Sequence, residues 1–509
     1  MKRELTYLFF VILFFALVAG HVQAASITVD GSTCTLFDAI TAANTNANVG
    51  GCIGSEPYGD DTIFLATDIL LAASLPEIVS TVTIEGKGYT IDGNNDSAVG
   101  SVLSITAGGD LTLNEITITG GYYPNGDGGG IYNEGTLTLN NSTVSENSTV
   151  SENSTYASAD ASANAGGICN YKGTLTLSNS TVSGNSTYAS AYAYASAKGG
   201  GIYNYNGPVT LNNSTVSGNS TYAYADSSTA SAFGGGIYNF SGTVTLSNST
   251  VSGNSTYAAD ATATAKANGG GISNETSGTV TLNNSTVSGN STYADAVYDY
   301  AFGGGIYNDF ATVTLNNSTV SGNFADTHGG GIYNRFGGMV TLNNCTVSGN
   351  SASAYGGGIY TAGITFASVI LYSSLISGNT ANYGNEVVKG TNTIIADSFN
   401  FFGHSGESNS EAFDGFTPGT SDFTATSDGT DPTVLVAILG PLADYGGPTW
   451  THALVKGSPA VDLDVACGTG LTTDQRGEPR PDGAGCDAGA FEGAITHNGF
   501  LSAVYLLLL

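Results

Sequence analysis

The chain has 509 residues, with 41 Asp and Glu against 11 Lys and Arg and a formal net charge of −30. A surface that acidic repels phosphate backbones and anionic lipid, so it excludes a nucleic-acid binder and fits a chain kept soluble outside the cell. Six cysteines are enough for a few staples and too few for a cysteine-built scaffold.

Residues 1–24 read as a secretory signal. Lys2 and Arg3 precede an apolar run from about Leu8 to Val18, and Val22–Ala24 supplies small residues for cleavage. Losing Lys2, Arg3 and Glu4 with the signal leaves 40 acids against 9 bases, a formal charge of −31. In an oxidising compartment, the closely spaced pairs Cys34 with Cys52 and Cys467 with Cys486 are expected to form two local disulfides. Cys169 and Cys345 fall at different places in the repeats and read as substitutions at tolerant sites.

Residues 25–79 read as an N-terminal cap, and 80–403 as stacked repeats. The pattern starts in "STVTIEGKGYTIDG" (80–93) and "GDLTLNEITITGG" (109–121), then settles into "GGGIYNFSGTVTLSNSTVSGNSTYA" and its copies. Copies begin at Gly128, Ala165, Gly199, Gly234, Gly269, Gly303, Gly329 and Gly356. Within a copy the period is two: Val244 and Leu246 alternate with Thr, Ile237 marks a second short strand, and Val251 centres a third. Gly and Asn separate the three and tolerate the left-handed backbone of sharp corners. Three strands and three corners in 26 or 27 residues, as from Gly303 to Gly329 and Gly329 to Gly356, make one coil. The fold class expected is therefore all-β, a parallel β-helix with covered ends. Stacking at about 4.8 Å would align Asn239, Asn274, Asn308 and Asn334 as an internal ladder.

The longer copies, 34 to 37 residues, carry an excess such as "STYASAYAYASAK". Ala189, Ala191, Ala193, Ala195 and Ala197 share one parity and Tyr188, Tyr192 and Tyr194 the other, which reads as an extended wing with an Ala face packed and a Tyr face in water. A disordered linker is the competing reading. Beyond the repeats, 404–429 reads as linker or irregular coil, 430–493 as a C-terminal cap, and 494–509 as an apolar tail ending in "FLSAVYLLLL", about half a membrane span.

Three resemblances accompany these motifs. The unit "GGGIYN…VTLNNSTVSGN", over roughly 128–383, resembles the repeats of the polymorphic outer membrane proteins, which implies a right-handed coil and a bacterial surface location. "CTLFDAITAANTN" (34–46) with "DTIFLA" (61–66) resembles the CSLREA domain, with Phe37 and Asp38 departing from its core. "LGPLADYGGPTWTHALVKGSPAVDLD" with "TDQRGEPRPDGAGCDAGAFE" (439–492) is similar to the choice-of-anchor Q domain. None of the three brings catalytic residues. No autotransporter barrel is expected in the 17 residues after Glu492, so membrane association is expected only through an anchor not identified.

Candidate chemistry is sparse. Hydrolysis or elimination on a polysaccharide needs clustered carboxylates, whereas Glu134, Glu146, Asp226, Glu275, Asp309 and Asp326 read as scattered over different coil positions. Bases between 128 and 383 are Lys172, Lys198, Lys266 and Arg335 alone. His328 beside Asp326 reads as a surface-loop pair. For calcium, Asp92–Asp96 and Asp127 are weak candidates that turn chemistry explains, and no cofactor or metal site is assigned. Asp474, Arg476, Arg480 and Asp487 read as ion pairing inside the C-terminal cap. Asn141, Asn179, Asn213, Asn248, Asn284 and Asn317 match the glycosylation pattern through repetition of a structural strand. The outward residues carry the binding expectation. Thr210, Thr245, Thr281, Thr314 and Thr341, with Thr138 and Thr176, form a column with a lattice of about 4.8 by 6.7 Å. Tyr188, Tyr192, Tyr194, Tyr222 and Tyr224 form an aromatic wing face suited to sugars or to another protein's surface.

The expected function is a secreted or cell-surface rod, acting as adhesin or surface structural protein without catalysis, on glycans or on host or neighbour cell-surface proteins. The alternatives are a carbohydrate-active β-helix enzyme, and an ice- or mineral-surface binder using the Thr columns.

Overall fold

The structure, a computed structural model, describes residues 25–54, 59–153, 160–363 and 367–495. The signal segment 1–24 and the tail 496–509 lie outside the described residues, and so does the test of both readings.

Each coil contributes one strand to each of three long sheets. In the copy starting at Gly234 these are Ile237–Phe240, Thr243–Ser247 and Thr250–Ser252. The "TVTL" sheet has 13 strands, the "GGGIYN" sheet 11 and the "TVS" sheet 13, and successive coils pair in parallel. The chain is thus a right-handed parallel β-helix, the hand that parallel crossovers take. The repeats supply the core: Ile131, Ile168, Ile202, Ile237, Ile272, Ile306, Ile332 and Ile359 are stacked and buried, as are the Val and Leu rows of the other two sheets. Each such side chain is worth roughly 1.5–3 kcal/mol when fully buried, and a coil reaches that burial only against copies of itself.

The corners explain the "NST" triplets. Asn141, Asn179, Asn213, Asn248, Asn284, Asn317 and Asn344 all sit at φ between +44 and +52°, turning the chain from the first sheet into the third. The following Ser points inward, where the N–H of Ser180 donates to Ser214 Oγ at 3.1 Å and the row continues through Ser249, Ser285 and Ser318. Cys345 occupies that row, its N–H donating to Ser374 Oγ at 3.1 Å. The expected asparagine ladder is present: Asn239 Nδ2 donates to Asn274 Oδ1 (2.8 Å), Asn274 to Asn308 (3.0 Å) and Asn308 to Asn334 (2.9 Å). A second ladder, not foreseen, runs at the "SGN" corner through Asn185, Asn219, Asn254, Asn290, Asn323, Asn350 and Asn379.

The rod is longer than its repeats. Strand β1 (Ser26–Val29) and strand β2 (Asp61–Leu65) already belong to the first sheet, so residues 25–79 contribute a coil as well as a cap. Between them helix α1 (Leu36–Thr45), capped by Thr35, packs apolar residues over the open end, pinned by the Cys34–Cys52 disulfide. At the other end Phe413–Asp414 and Phe423–Thr424 pair with earlier strands, so 404–429 is the last coil rather than a linker, and Phe413 and Phe416 close the core against Phe402. The segment from 430 is not an end cap. It folds back along the side of the rod and covers the outer face of the third sheet, where Thr449 Oγ1 donates to Asn284 O (2.9 Å), Gln475 contacts Thr286 and Thr319, and His452 contacts Ser321. Inside it the expected staple Cys467–Cys486 and one expected ion pair, Arg476 with Asp474 (2.7 Å), are present; Arg480 pairs instead with Glu492 (2.5 Å), and Asp487 accepts from the Asp462 and Gly493 N–H groups. Among the described residues no helix is long and apolar enough to cross a membrane.

The described wing segments are paired strands. In the long copies the chain leaves the third sheet through Ser186–Ala191, reverses, and returns through Tyr194–Lys198. Stacking builds a fin of two parallel sheets, of eight and five strands, whose facing sides are alanine: Ala189, Ala191, Ala195, Ala197, Ala223, Ala225 and their equivalents are buried together. Methyl groups alone let two sheets close on each other without a thicker core.

Candidate functional site

The fin stands beside the "GGGIYN" sheet, and a groove runs along the rod between them. Its floor is the outward row of that sheet, Tyr203, Tyr238, Ser273, Tyr307, Tyr333 and Tyr360, in register coil after coil. Its wall is the returning fin strand and its continuation, Lys198, Phe233, Asn268, Phe302, His328 and Tyr355. The rows meet ring to ring: Phe302 stacks on Tyr333 at 4.4 Å and 4°, His328 lies 5.0 Å from Tyr360, and Lys198 Nζ sits 5.9 Å over Tyr238. Burial pushes the Tyr238 and Tyr307 hydroxyls well up, and it lowers the pKa of His328. His328 therefore belongs to the groove wall and not to a surface pair with Asp326, whose Oδ1 accepts from Ser353 Oγ instead.

The rim row holds the acids. Tyr171, Tyr205 and Phe240 stack at 4.9 and 5.6 Å, and the next residues in the same row are Glu275, Asp309 and Arg335. The acids taken as scattered thus include two neighbours on adjacent coils. Both are held. Glu275 accepts from Ser273 Oγ (3.0 Å) and Tyr238 OH (3.0 Å), while Asp309 accepts from Tyr307 OH (3.1 Å) and from Arg335 Nη2 (2.8 Å). Burial, with the Asp309 charge adding to it, raises the Glu275 pKa. At this place the groove opens into a cavity of about 350 Å³ lined by Thr264, Lys266, Asn268, Tyr300, Phe302 and Arg335.

The sequence-level candidates are distributed differently from expectation. Tyr188 stacks on Tyr222 at 5.2 Å, and Tyr222 on Tyr257 at 5.1 Å, on the far flank of the fin, away from the groove. Tyr192 and Tyr194, 41% and 39% exposed, are at its tip, and Tyr224 OH donates to Asp226 (2.9 Å). Because the chain reverses within the fin, the outward sides of Ser186–Ala191 and Tyr194–Lys198 face opposite ways, and the five tyrosines do not form one surface. Thr210, Thr245, Thr281, Thr314 and Thr341 do align in register on the first sheet, and the row continues back through Thr176, Thr138, Thr112 and Thr83. Of the calcium candidates, Asp92 and Asp96 are turn groups, accepting from the Asn94 N–H (2.7 Å) and the Ala98 N–H (2.9 Å), whereas Asp127 bridges to the next coil and accepts from Asn164 Nδ2 (2.9 Å).

Comparison with known proteins places the repeat. The Chlamydia polymorphic membrane protein repeat matches residues 317–335 and 344–362, two consecutive coils beside the groove. No curated protein sequence matches the chain. Among solved structures the chain is similar to pectate lyase Pel9A, at 12% identity and a TM-score of 0.36, over 93% of this chain and 97% of that one. A likeness at that level bears on neither activity nor substrate.

Proposed function

We propose that the chain is a bacterial cell-surface rod that binds glycans in the groove beside its fin and does not cleave them. The observation that carries this reading is the concentration of cations and rings in one cleft of an acidic chain. Of the four Lys and Arg between 128 and 383, Lys198, Lys266 and Arg335 line this groove, interleaved with Phe233, Phe302, Tyr300 and Tyr333. Aromatic faces receive the apolar side of a sugar ring, and cations in a concave, ring-walled site favour carboxylated or sulfated sugars. The repeat match supports a location at the bacterial surface or outer membrane.

The second reading, a carbohydrate-active enzyme, is favoured by one feature, the Glu275–Asp309–Arg335 row. Adjacent coils set carboxylates about 5 Å apart, near the separation of retaining glycosidases. Against it, both Glu275 oxygens accept protein hydrogen bonds, and Asp309 is paired with Arg335. Incubating residues 25–509 with a panel of neutral and acidic polysaccharides, with and without calcium, separates the two. Binding without new chain ends supports the adhesin. Cleavage abolished by Glu275→Gln overturns it.

A further inference from the structure

At the last coil the "SGN" asparagine ladder meets a buried cluster that the groove does not involve. Each ladder asparagine offers its N–H and Nδ2 to the Oδ1 of the next coil, as Asn350 does to Asn379 at 3.0 and 2.8 Å. No asparagine follows Asn379. The carboxylate of Glu386 takes the acceptor's place, receiving Asn379 Nδ2 (2.6 Å) and the Gly378 N–H (2.7 Å). Glu386 is fully buried, and Glu407, 4% exposed, is beside it. Glu407 Oε2 accepts from Asn385 Nδ2 (2.8 Å), whereas its buried Oε1 has no hydrogen-bond partner and lies 3.2 Å from His404 Nδ1. That nitrogen, likewise without a hydrogen bond, is 4.0 Å from Glu386 Oε1. Gly403, at φ +72°, turns the chain so that His404 and Glu407 converge, and a Cβ there would come within 2.6 Å of Thr426 Cγ2 and 3.3 Å of Glu407 Oε1.

Two carboxylates in this interior need compensating charge. Among the described ion pairs, neither meets a Lys or Arg; the two carboxyl groups contact each other, and the basic group beside both is His404. The three ligand atoms lie within 4.8 Å of one another. We propose that Glu386, His404 and Glu407 bind one divalent transition-metal ion of the Zn²⁺ class, through one imidazole nitrogen and two carboxylate oxygens. Bonds of about 2.0–2.2 Å put tetrahedral ligands roughly 3.3–3.5 Å apart, so His404 and Glu407, at 3.2 Å, already stand at about that spacing and Glu386, at 4.0 Å from His404, must move slightly closer. Three protein oxygens and nitrogens fall short of the six to eight oxygens that Ca²⁺ takes. The ion neutralises the cluster and clamps the last coil to the ladder, with solvent completing its shell from the partly exposed His404 side.

The test uses residues 25–509, stripped with a chelator and titrated with Zn²⁺ by calorimetry and with Co²⁺ by visible absorption. The expected result is one ion per chain, a tetrahedral Co²⁺ spectrum, a raised Tm, and a shift of the His404 imidazole NMR signals with those of His328 and His452 unmoved. His404→Gln and Glu407→Gln should each weaken binding by about tenfold or more; His404→Gln, at a partly exposed position, keeps the comparison available if the buried variant fails to fold. No heat and no Co²⁺ spectrum from the unmodified protein would overturn the proposal and leave the carboxylates sharing a proton. Binding with the His404 signals unmoved would equally overturn it.

Discussion

Asn254→Ala tests whether the amide ladders hold the coils in register. Asn254 Nδ2 donates to Val216 O (3.0 Å) and Asn290 Oδ1 (2.9 Å), and its Oδ1 accepts from Asn219 N–H (3.0 Å) and Nδ2 (2.9 Å). Truncation deletes all four and removes the acceptor of a buried backbone N–H. At about 1 kcal/mol net for each bond, and about 1–3 kcal/mol for a stranded buried donor, the expected cost is about 5–7 kcal/mol. The outward Thr245→Ala, on the same coil, should cost less than about 1 kcal/mol. Coils interact only with neighbours, so the damage should be local. Native-state hydrogen exchange should show lost protection centred on the coils of Asn219, Asn254 and Asn290, beside a fall in the urea midpoint. If Asn254→Ala proves no more costly than Thr245→Ala, the ladder is a consequence of stacking and contributes little to it.

Three further outcomes follow from the same geometry. Ala230→Leu forces a larger side chain between the fin sheets, where Ala230 is fully buried; it should cost about 1–3 kcal/mol and speed exchange across residues 220–268 while the Ile, Val and Leu coils keep their protection. The Cys169 and Cys345 thiols are buried, which pushes Cys169 well above its ordinary value and Cys345 up to about 12; a thiol reagent at pH 8 should find no reactive group until denaturant is added, and prompt labelling of the native protein would contradict this. Burial lowers the His452 pKa to about 4. Between that value and about 6.5 the unfolded chain binds the extra proton. The stability His452 contributes is therefore present above about pH 6.5 and lost as pH falls toward 4, by about 3 kcal/mol in full. His452→Gln should flatten that part of the stability–pH curve, and an unchanged curve would refute the assignment.

Much of the coil was legible because period-two alternation and a fixed repeat determine which residues face inward. Ile237, Val244, Leu246 and Val251 are core as read, and the ladder through Asn239 follows from stacking identical residues. The Asn254 ladder was missed because an Asn after Ser-Gly looks like a turn residue, and only the corner's geometry turns its amide inward. The Glu275–Asp309–Arg335 row did carry a signal: each is the residue directly after "GGGISN" or "GGGIYN", so aligning the copies by their glycines would have shown the acids as neighbours. The Ala and Tyr alternation showed that the wings are extended strands. It could not show that the chain reverses near Tyr192, since both arms have the same parity pattern, and that reversal puts Tyr188 and Tyr194 on opposite flanks. The position of the C-terminal segment left no periodic trace, because its contacts to Thr286, Thr319 and Thr346 use side chains that every coil carries.

The central claim is that the groove, and no other face of the rod, takes the ligand. Its most direct test is glycan-array binding by the unmodified protein beside two double variants: Lys266→Ala with Tyr300→Ala at the exposed cavity lining, and Tyr188→Ala with Tyr222→Ala on the far flank of the fin. Binding to acidic glycans that the cavity pair abolishes and the flank pair retains is the predicted result. Binding lost with the flank pair, or indifferent to both, would contradict the account.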